Sequence, residues 1–179
     1  MAHQPIIYGG KANTGVDPLA PGLSAFGPIG RIYAVTIHHS AGPRAKTKAQ
    51  AIKLNTAYNQ QHANQGWGGI GYHFSVDDLG RIYRLRPVQY KGAHTGGHNT
   101  GNVGIMFHGN YDLEGLTAKQ RATLKWLFQG GLLKLTGRRE QDIALVRGHQ
   151  EWPGPTNSTA CPGRNLMRHL RWRRSKDLH

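Results

Sequence analysis

Arg31-Ile32-Tyr33-Ala34-Val35-Thr36-Ile37-His38-His39-Ser40 is where the chain first becomes regular. The β-branched and aromatic run from Tyr33 to His39 predicts a strand, which the turn formers Ser40-Ala41-Gly42-Pro43 bring to a stop. A strand that finishes in two histidines delivers imidazoles to the rim of a sheet, where a rigid scaffold holds functional groups on short loops. Beyond it, Thr47 caps a predicted helix from Lys48 to about His62, with Ala51, Leu54 and Tyr58 on one face. Gly66-Trp67-Gly68-Gly69 interrupts, and Ile70 to Val76 reads as a second strand. The turn Asp77-Asp78-Leu79-Gly80 returns it as a third, Ile82 to Leu85, making a hairpin. Val103 to Phe107 is a fourth strand, reached through the polar loop Lys91 to Asn102, which is long enough to be a binding surface.

Thr117-Ala118-Lys119-Gln120 carries the capping-box pattern and opens a helix with Leu124, Leu127, Phe128 and Leu132 along one side and Gly137 as its stop. Ile143 to Val146 is a short apolar strand that runs into Gly148-His149. Strands alternating with helices, joined by both tight and long connections, predict an α/β single domain with a mixed central β-sheet flanked by helices. With 179 residues and 37% hydrophobic content, the chain suffices for one core and is short for two. Residues 1–30, punctuated by Gly9-Gly10, Pro21-Gly22 and Gly27-Pro28, read as a Gly/Pro-rich arm packed over a domain spanning 31–179.

The N-terminal Met1-Ala2-His3-Gln4-Pro5 has no basic region followed by an apolar core, and no run approaches the roughly 20 apolar residues of a membrane span. The expectation is synthesis in the cytoplasm without a signal peptide. The 23 Lys+Arg against 9 Asp+Glu give a formal net charge of +14, which attracts polyanions: nucleic acid, anionic lipid head groups or acidic cell-wall polymers. No helix-turn-helix, finger or RNA-binding signature accompanies the charge, so no specific nucleic-acid partner is expected. Arg164, Arg168 and Arg171 fall at helical i, i+4, i+7 spacing over the apolar stripe Leu166, Met167 and Leu170. With Arg173 and Arg174 they form a basic C-terminal helix, read as a surface for anionic envelope polymers or lipids, or as a solvated helix face.

The chemistry concentrates in Gly148-His149-Gln150-Glu151-Trp152 through Ala160-Cys161-Pro162-Gly163, which holds the chain's single cysteine. A lone thiol cannot form a disulfide within the chain, and its alternatives are an inert buried side chain or a metal ligand. The polar, Pro-rich run Pro153 to Ser158 before it predicts a surface loop, which favours the ligand. His38 ends the first predicted strand and His149 follows the last. Two neutral imidazoles and one thiolate leave a Zn²⁺ site with a net charge near +1 and an open position, able to hold a water of pKa about 7. Such a site points to hydrolysis.

Four blocks in order carry a resemblance: Ile37-His38-His39-Ser40-Ala41; Gly66-Trp67-Gly68-Gly69-Ile70-Gly71-Tyr72-His73-Phe74; Gly92-Ala93-His94 through Gly97-His98-Asn99 to Val103-Gly104-Ile105; and the Gly148-His149 to Cys161-Pro162-Gly163 segment. Over roughly residues 31–171 the chain resembles the type 2 N-acetylmuramoyl-L-alanine amidases, in particular phage lysozyme-amidases (endolysins) and the peptidoglycan recognition proteins. The resemblance implies a peptidoglycan recognition protein-like amidase fold and one zinc ion held by His38, His149 and Cys161. His39 is then a packing or hydrogen-bonding neighbour of the site. The resemblance gives Tyr72 the place of a catalytic tyrosine. It puts Thr159 where some phage members have a lysine, so that a hydroxyl replaces a charge in stabilising the oxyanion.

His94 and Asn99 fall where family members contact the muramyl group and stem peptide. Trp67 and Trp152 wall the groove or pack beneath it, and His73, His98 and His108 read as structural histidines. The implied activity is hydrolysis of the amide between N-acetylmuramic acid and L-alanine in peptidoglycan, by a monomeric phage endolysin that acts on the cell wall after release. The alternative is a non-catalytic peptidoglycan-binding recognition module, a class that commonly lacks the cysteine.

Overall fold

The computed structural model describes residues 3–137 and 143–176, with side chains through residue 171. Its frame is one six-stranded sheet of β1 (Ile7–Tyr8), β2 (Ala34–His39), β3 (Phe74–Val76), β4 (Ile82–Arg84), β5 (Asn102–Phe107) and β6 (Leu145–Gly148), in the spatial order β1-β4-β3-β5-β2-β6. The β3–β4 pair is antiparallel, because only five residues join its strands, and the other neighbours are parallel, as their long connections require. The expected single-domain α/β architecture with a mixed sheet is what the chain adopts.

Every residue of β2 and β5 is buried, so both faces of the sheet's centre are covered. On one face Val35, Ile37, Val103, Ile105 and Phe107 pack with leucines of α3 (Ala118–Trp126) and α4 (Leu132–Thr136) and with Leu166, Met167 and Leu170 of α5 (Arg164–Lys176). The other face meets α2 (Lys48–Asn64), where Ala51 joins Ile70, Tyr83 and Leu85, and where Ser75 donates a 2.9 Å bond to Asn55. Side chains alternate along a strand. With Ile37 committed to the first face, His38 must project to the α2 side, while His39 returns to the first and lies against Tyr111. The adjacent histidines are thereby assigned different surroundings.

Both expected helix starts are present as full capping boxes, Thr47 with Gln50 and Thr117 with Gln120. Several boundaries differ from the sequence reading. The second strand begins at Phe74 rather than Ile70, because side chains of α2 take the backbone donors: Ile70 N–H bonds Asn59 Oδ1 at 2.8 Å and Gly71 N–H bonds His62 Nδ1 at 2.9 Å. The third ends at Arg84, one residue early, and β6 spans Leu145–Gly148 rather than 143–146. The helix opened by Thr117 breaks after Trp126, where Gly130 adopts φ 100° and a side chain on Gly131 would strike the Trp126 ring.

Residues 3–30, expected as an arm, are built into the domain. β1 extends the sheet beside β4, the short α1 (Lys11–Thr14) follows it, and Thr14, Val16, Leu23 and Ile29 are buried. The guanidinium of Arg86 ties this segment to the loops beneath the groove. It is buried, has no carboxylate partner among the described residues, and donates to the carbonyls of Leu23, Trp67, Gly69, Ile70 and Lys91 at 2.7–3.3 Å. Arg86→Met would strand several buried acceptors, each costing about 1–3 kcal/mol. The expected loss is roughly 3 kcal/mol or more, read as a fall of roughly 6–12 °C in thermal midpoint. An unchanged midpoint would show that the carbonyls find other partners.

Candidate metal centre and groove

The register of the sheet builds the site. β2 and β6 run parallel with Ile37 opposite Gly148, so the next residues, His38 and His149, leave adjacent strand ends side by side with ring centroids 4.7 Å apart. Cys161 arrives from the loop before α5, held by two backbone bonds: its carbonyl accepts from Gln150 N–H at 2.8 Å, and its N–H donates to Thr159 Oγ1 at 3.2 Å. Its Sγ lies 3.5 Å from His38 Nδ1 and accepts the His39 N–H at 3.4 Å. The predicted surface loop is present, but the thiol at its end is buried, with 8% of the residue exposed.

His38, His149 and Cys161 each bring one ligand atom within 4.8 Å of the others. That separation suits donors of one ion with Zn–N near 2.0 Å and Zn–S near 2.3 Å. The donor chemistry agrees. Burial holds the His38 imidazole well below its ordinary pKa, with His94 and His149 adding to the effect, and burial also lowers His149. Both are neutral, with a lone pair to give. Burial pushes the Cys161 thiol up to about 12, so it keeps its proton unless a cation replaces it.

Each ligand has its own support. His38 Nε2 sits 3.1 Å from His94 Nδ1, and His149 Nε2 is 3.1 Å from Asn157 Oδ1. His39 is a neighbour, as expected: its Nδ1 accepts the Tyr111 N–H at 3.2 Å. Thr159 is exposed, is not among the residues lining the cavity, and turns its hydroxyl oxygen to the Cys161 amide.

The centre opens on a cavity of about 570 Å³ lined by Tyr72, Trp67, His94, Asn99 and His149. Tyr72 lies with its ring 5.0 Å from that of His38, and burial raises its phenol pKa, so it remains a hydrogen-bond donor. Trp67 forms part of the wall, against the His62 ring at 4.7 Å. Trp152 packs beneath instead: it is buried, donates to Thr36 Oγ1 at 2.8 Å, and is covered by the His98 ring. Asn99 shapes the loop by accepting the N–H groups of His94 and Thr95 at 2.9 and 3.0 Å.

Of the histidines without an expected role, His73 bridges Gly104 N–H and the Tyr90 carbonyl, and His98 reaches the Pro153 carbonyl. His108 is stacked on Tyr58, and its nitrogens have no hydrogen-bond partner among the described residues. Burial lowers it to about 3, so it stays neutral. The sequence reading missed His62, Gln61 and Gln65 from the end of α2, together with Phe26, Lys91 and Thr156, all of which line the cavity. The i, i+4 pair Gln61 and Gln65 marks a polar helix face, but nothing in its spacing says that the face borders a cavity rather than solvent.

Arg164 opens α5 and is tied to Asp112, its N–H bonding Oδ1 at 3.0 Å and its Nε the carbonyl at 3.0 Å. Arg168 and Arg171 are exposed, with Leu166, Met167 and Leu170 buried behind them, so the amphipathic stripe is as expected. The side chains of Arg173 and Arg174 lie outside the described residues.

The model of the family described as N-acetylmuramoyl-L-alanine amidase matches residues 29–164. The peptidoglycan-recognition protein SC2 of Drosophila melanogaster is 34% identical over 167 residues, which cover 92% of this chain and 81% of that protein. The structure is similar to that of the N-acetylmuramoyl-L-alanine amidase LysC from Clostridium intestinale, with TM-score 0.62 and 27% identity, covering 80% of this chain and 86% of that one. It is also similar to peptidoglycan recognition protein LE, solved in complex with tracheal cytotoxin, a monomeric diaminopimelic acid-type peptidoglycan. There the TM-score is 0.74 at 26% identity, over 94% of this chain and 92% of that one. With three quarters of its length matched by the family model, and with the family's motifs converging on one centre, the chain belongs to the N-acetylmuramoyl-L-alanine amidase family.

Proposed function

We propose that the protein is a zinc-dependent N-acetylmuramoyl-L-alanine amidase that hydrolyses the amide between the lactyl group of N-acetylmuramic acid and L-alanine in peptidoglycan. The observation that carries this reading is the donor set His38, His149 and Cys161, whose His149 lines a groove walled by Tyr72. When bound there, zinc supplies Lewis-acid polarisation of a carbonyl and a route from water to a nucleophile near neutral pH. The remaining work falls to side chains. Water adds to the amide carbon, the carbon–nitrogen bond breaks, and L-alanine leaves with a protonated amino terminus. Tyr72, kept protonated by burial, donates to the oxygen that gains charge as the carbonyl becomes tetrahedral. Thr159 acts through its hold on the Cys161 backbone.

The similarity to a peptidoglycan recognition protein favours a second reading, a module that binds peptidoglycan without cutting it. Incubation with purified cell walls separates the two. The amidase releases new L-alanine amino termini in proportion to time and enzyme, whereas a binding module sediments with the walls and releases none.

We also propose an endolysin-type role in which the charge of +14 draws the enzyme to anionic envelope polymers or lipids, with Arg168 and Arg171 of α5 contributing. Attraction between exposed charges fades beyond a Debye length of about 8 Å at physiological salt. Neutralising Arg168 and Arg171 together should slow lysis of permeabilised cells severalfold in dilute buffer, yet leave cleavage of a small soluble muropeptide unchanged. Equal slowing on both substrates at every salt concentration would remove the targeting role.

A further inference from the structure

We propose that His94 and Asn157 are positioning residues that hold both ligand histidines in one tautomer, with Nε2 protonated and Nδ1 bare, before any metal arrives. The inference rests on the zinc amidase reading of the same centre. The argument starts at a carbonyl. Asn102 C=O lies 3.1 Å from His94 Nε2 and cannot donate, so that nitrogen carries the proton. A neutral His94 ring then offers only a lone pair at Nδ1. Thr95 Oγ1, 2.9 Å from Nδ1, can share that lone pair, but two bare nitrogens facing each other at 3.1 Å would repel, so His38 Nε2 is the donor between the rings, which leaves His38 Nδ1 unprotonated on the side of Cys161 Sγ, 3.5 Å away.

Asn157 reaches the same result by different chemistry. Its Nδ2 donates to the carbonyls of Gly96 and Pro153 at 2.9 and 2.7 Å, which fixes the orientation of the amide. Oδ1 therefore faces His149 Nε2 at 3.1 Å as an acceptor, so Nε2 is the protonated nitrogen and Nδ1 is bare. Both supports are rigid. Asn157 is 1% exposed, and the His94 ring is seated so closely over Gly92 and Gly104 that a Cβ at either would fall within 2.7 Å of it. With both nitrogens bonded inside the protein, His94 serves the groove by orienting His38, and its polar atoms are not available to a substrate.

The test has two parts. Long-range ¹⁵N–¹H spectra of the metal-free wild-type protein should show His38 and His149 as Nε2–H tautomers and His94 likewise; an Nδ1–H form at His38 or His149 would overturn the inference. Zinc affinity, measured by chelator competition without substrate, should fall about 10–100-fold in His94→Phe and in Asn157→Leu, the cost of losing a partner behind a metal-bound histidine. His94→Asn, whose Oδ1 stands near the place of Nδ1, should recover most of that loss, a rescue that mere packing would not give. Wild-type affinity in His94→Phe would refute the positioning role. If the wild type binds no zinc, the amidase reading fails, while the spectra of the metal-free protein still judge the tautomers.

Discussion

Cys161→Ser is expected to lose zinc and hydrolysis together. The sulfur is the only soft donor in the cluster, and as a thiolate it is the only one to bring negative charge. A serine hydroxyl at the same place remains protonated near neutral pH and offers a far weaker ligand. Removing a partner behind a ligand costs about 10–100-fold in metal affinity, so removing a ligand itself should cost more than about 100-fold. Zinc content after dialysis and release of amino termini from cell walls should fall in parallel. The fold should survive, because Cys161 sits at the edge of the sheet, outside the cluster of Val35, Ile37, Ile105 and Leu166. A variant that retains full zinc and full activity would mean that the donor set is wrongly assigned.

Tyr72→Phe should separate binding from chemistry. Tyr72 is not one of the three donors, and its ring packs against His38 with or without the hydroxyl, so zinc and stability should be retained. Turnover should fall by roughly 10²–10³, the scale for deleting one donor to a developing oxyanion. The loss should appear in kcat more than in KM, because the bond strengthens as charge develops. An unchanged kcat would reduce Tyr72 to a wall of the groove.

The sheet and the convergence of His38, His149 and Cys161 were legible in the sequence because they depend on short-range signals. A β-branched run ending in His38-His39, a capping Thr before each of two helices, and a lone cysteine after a Pro-rich loop are all local patterns. The period of two along β2 explains why one histidine of the pair enters the centre and the other does not. What stayed hidden depends on distant partners. Ile70 and Gly71 read as strand, but Asn59 and His62 of the preceding helix take their N–H groups, and the segment that carries Tyr72 leaves the ladder. Gly130-Gly131 passed as helix interior until Trp126 needed the space.

The same logic governs His94. The family resemblance implies a substrate contact for it, and only the approach of Asn102 on one side and of His38 and Thr95 on the other shows where its nitrogens go. The N-terminal segment, rich in turn formers, gave no sign that Leu23 would cap a buried arginine 63 positions away.

The most direct test is a digest of a defined muropeptide, with the products identified by mass. The account predicts one cut with one water added across the lactyl–L-alanine amide, giving a free stem peptide and an intact sugar acid. The reaction should stop with chelator and return with added zinc. A muropeptide that binds but emerges uncut, or a cut at any other bond, or cleavage indifferent to the chelator, would contradict it.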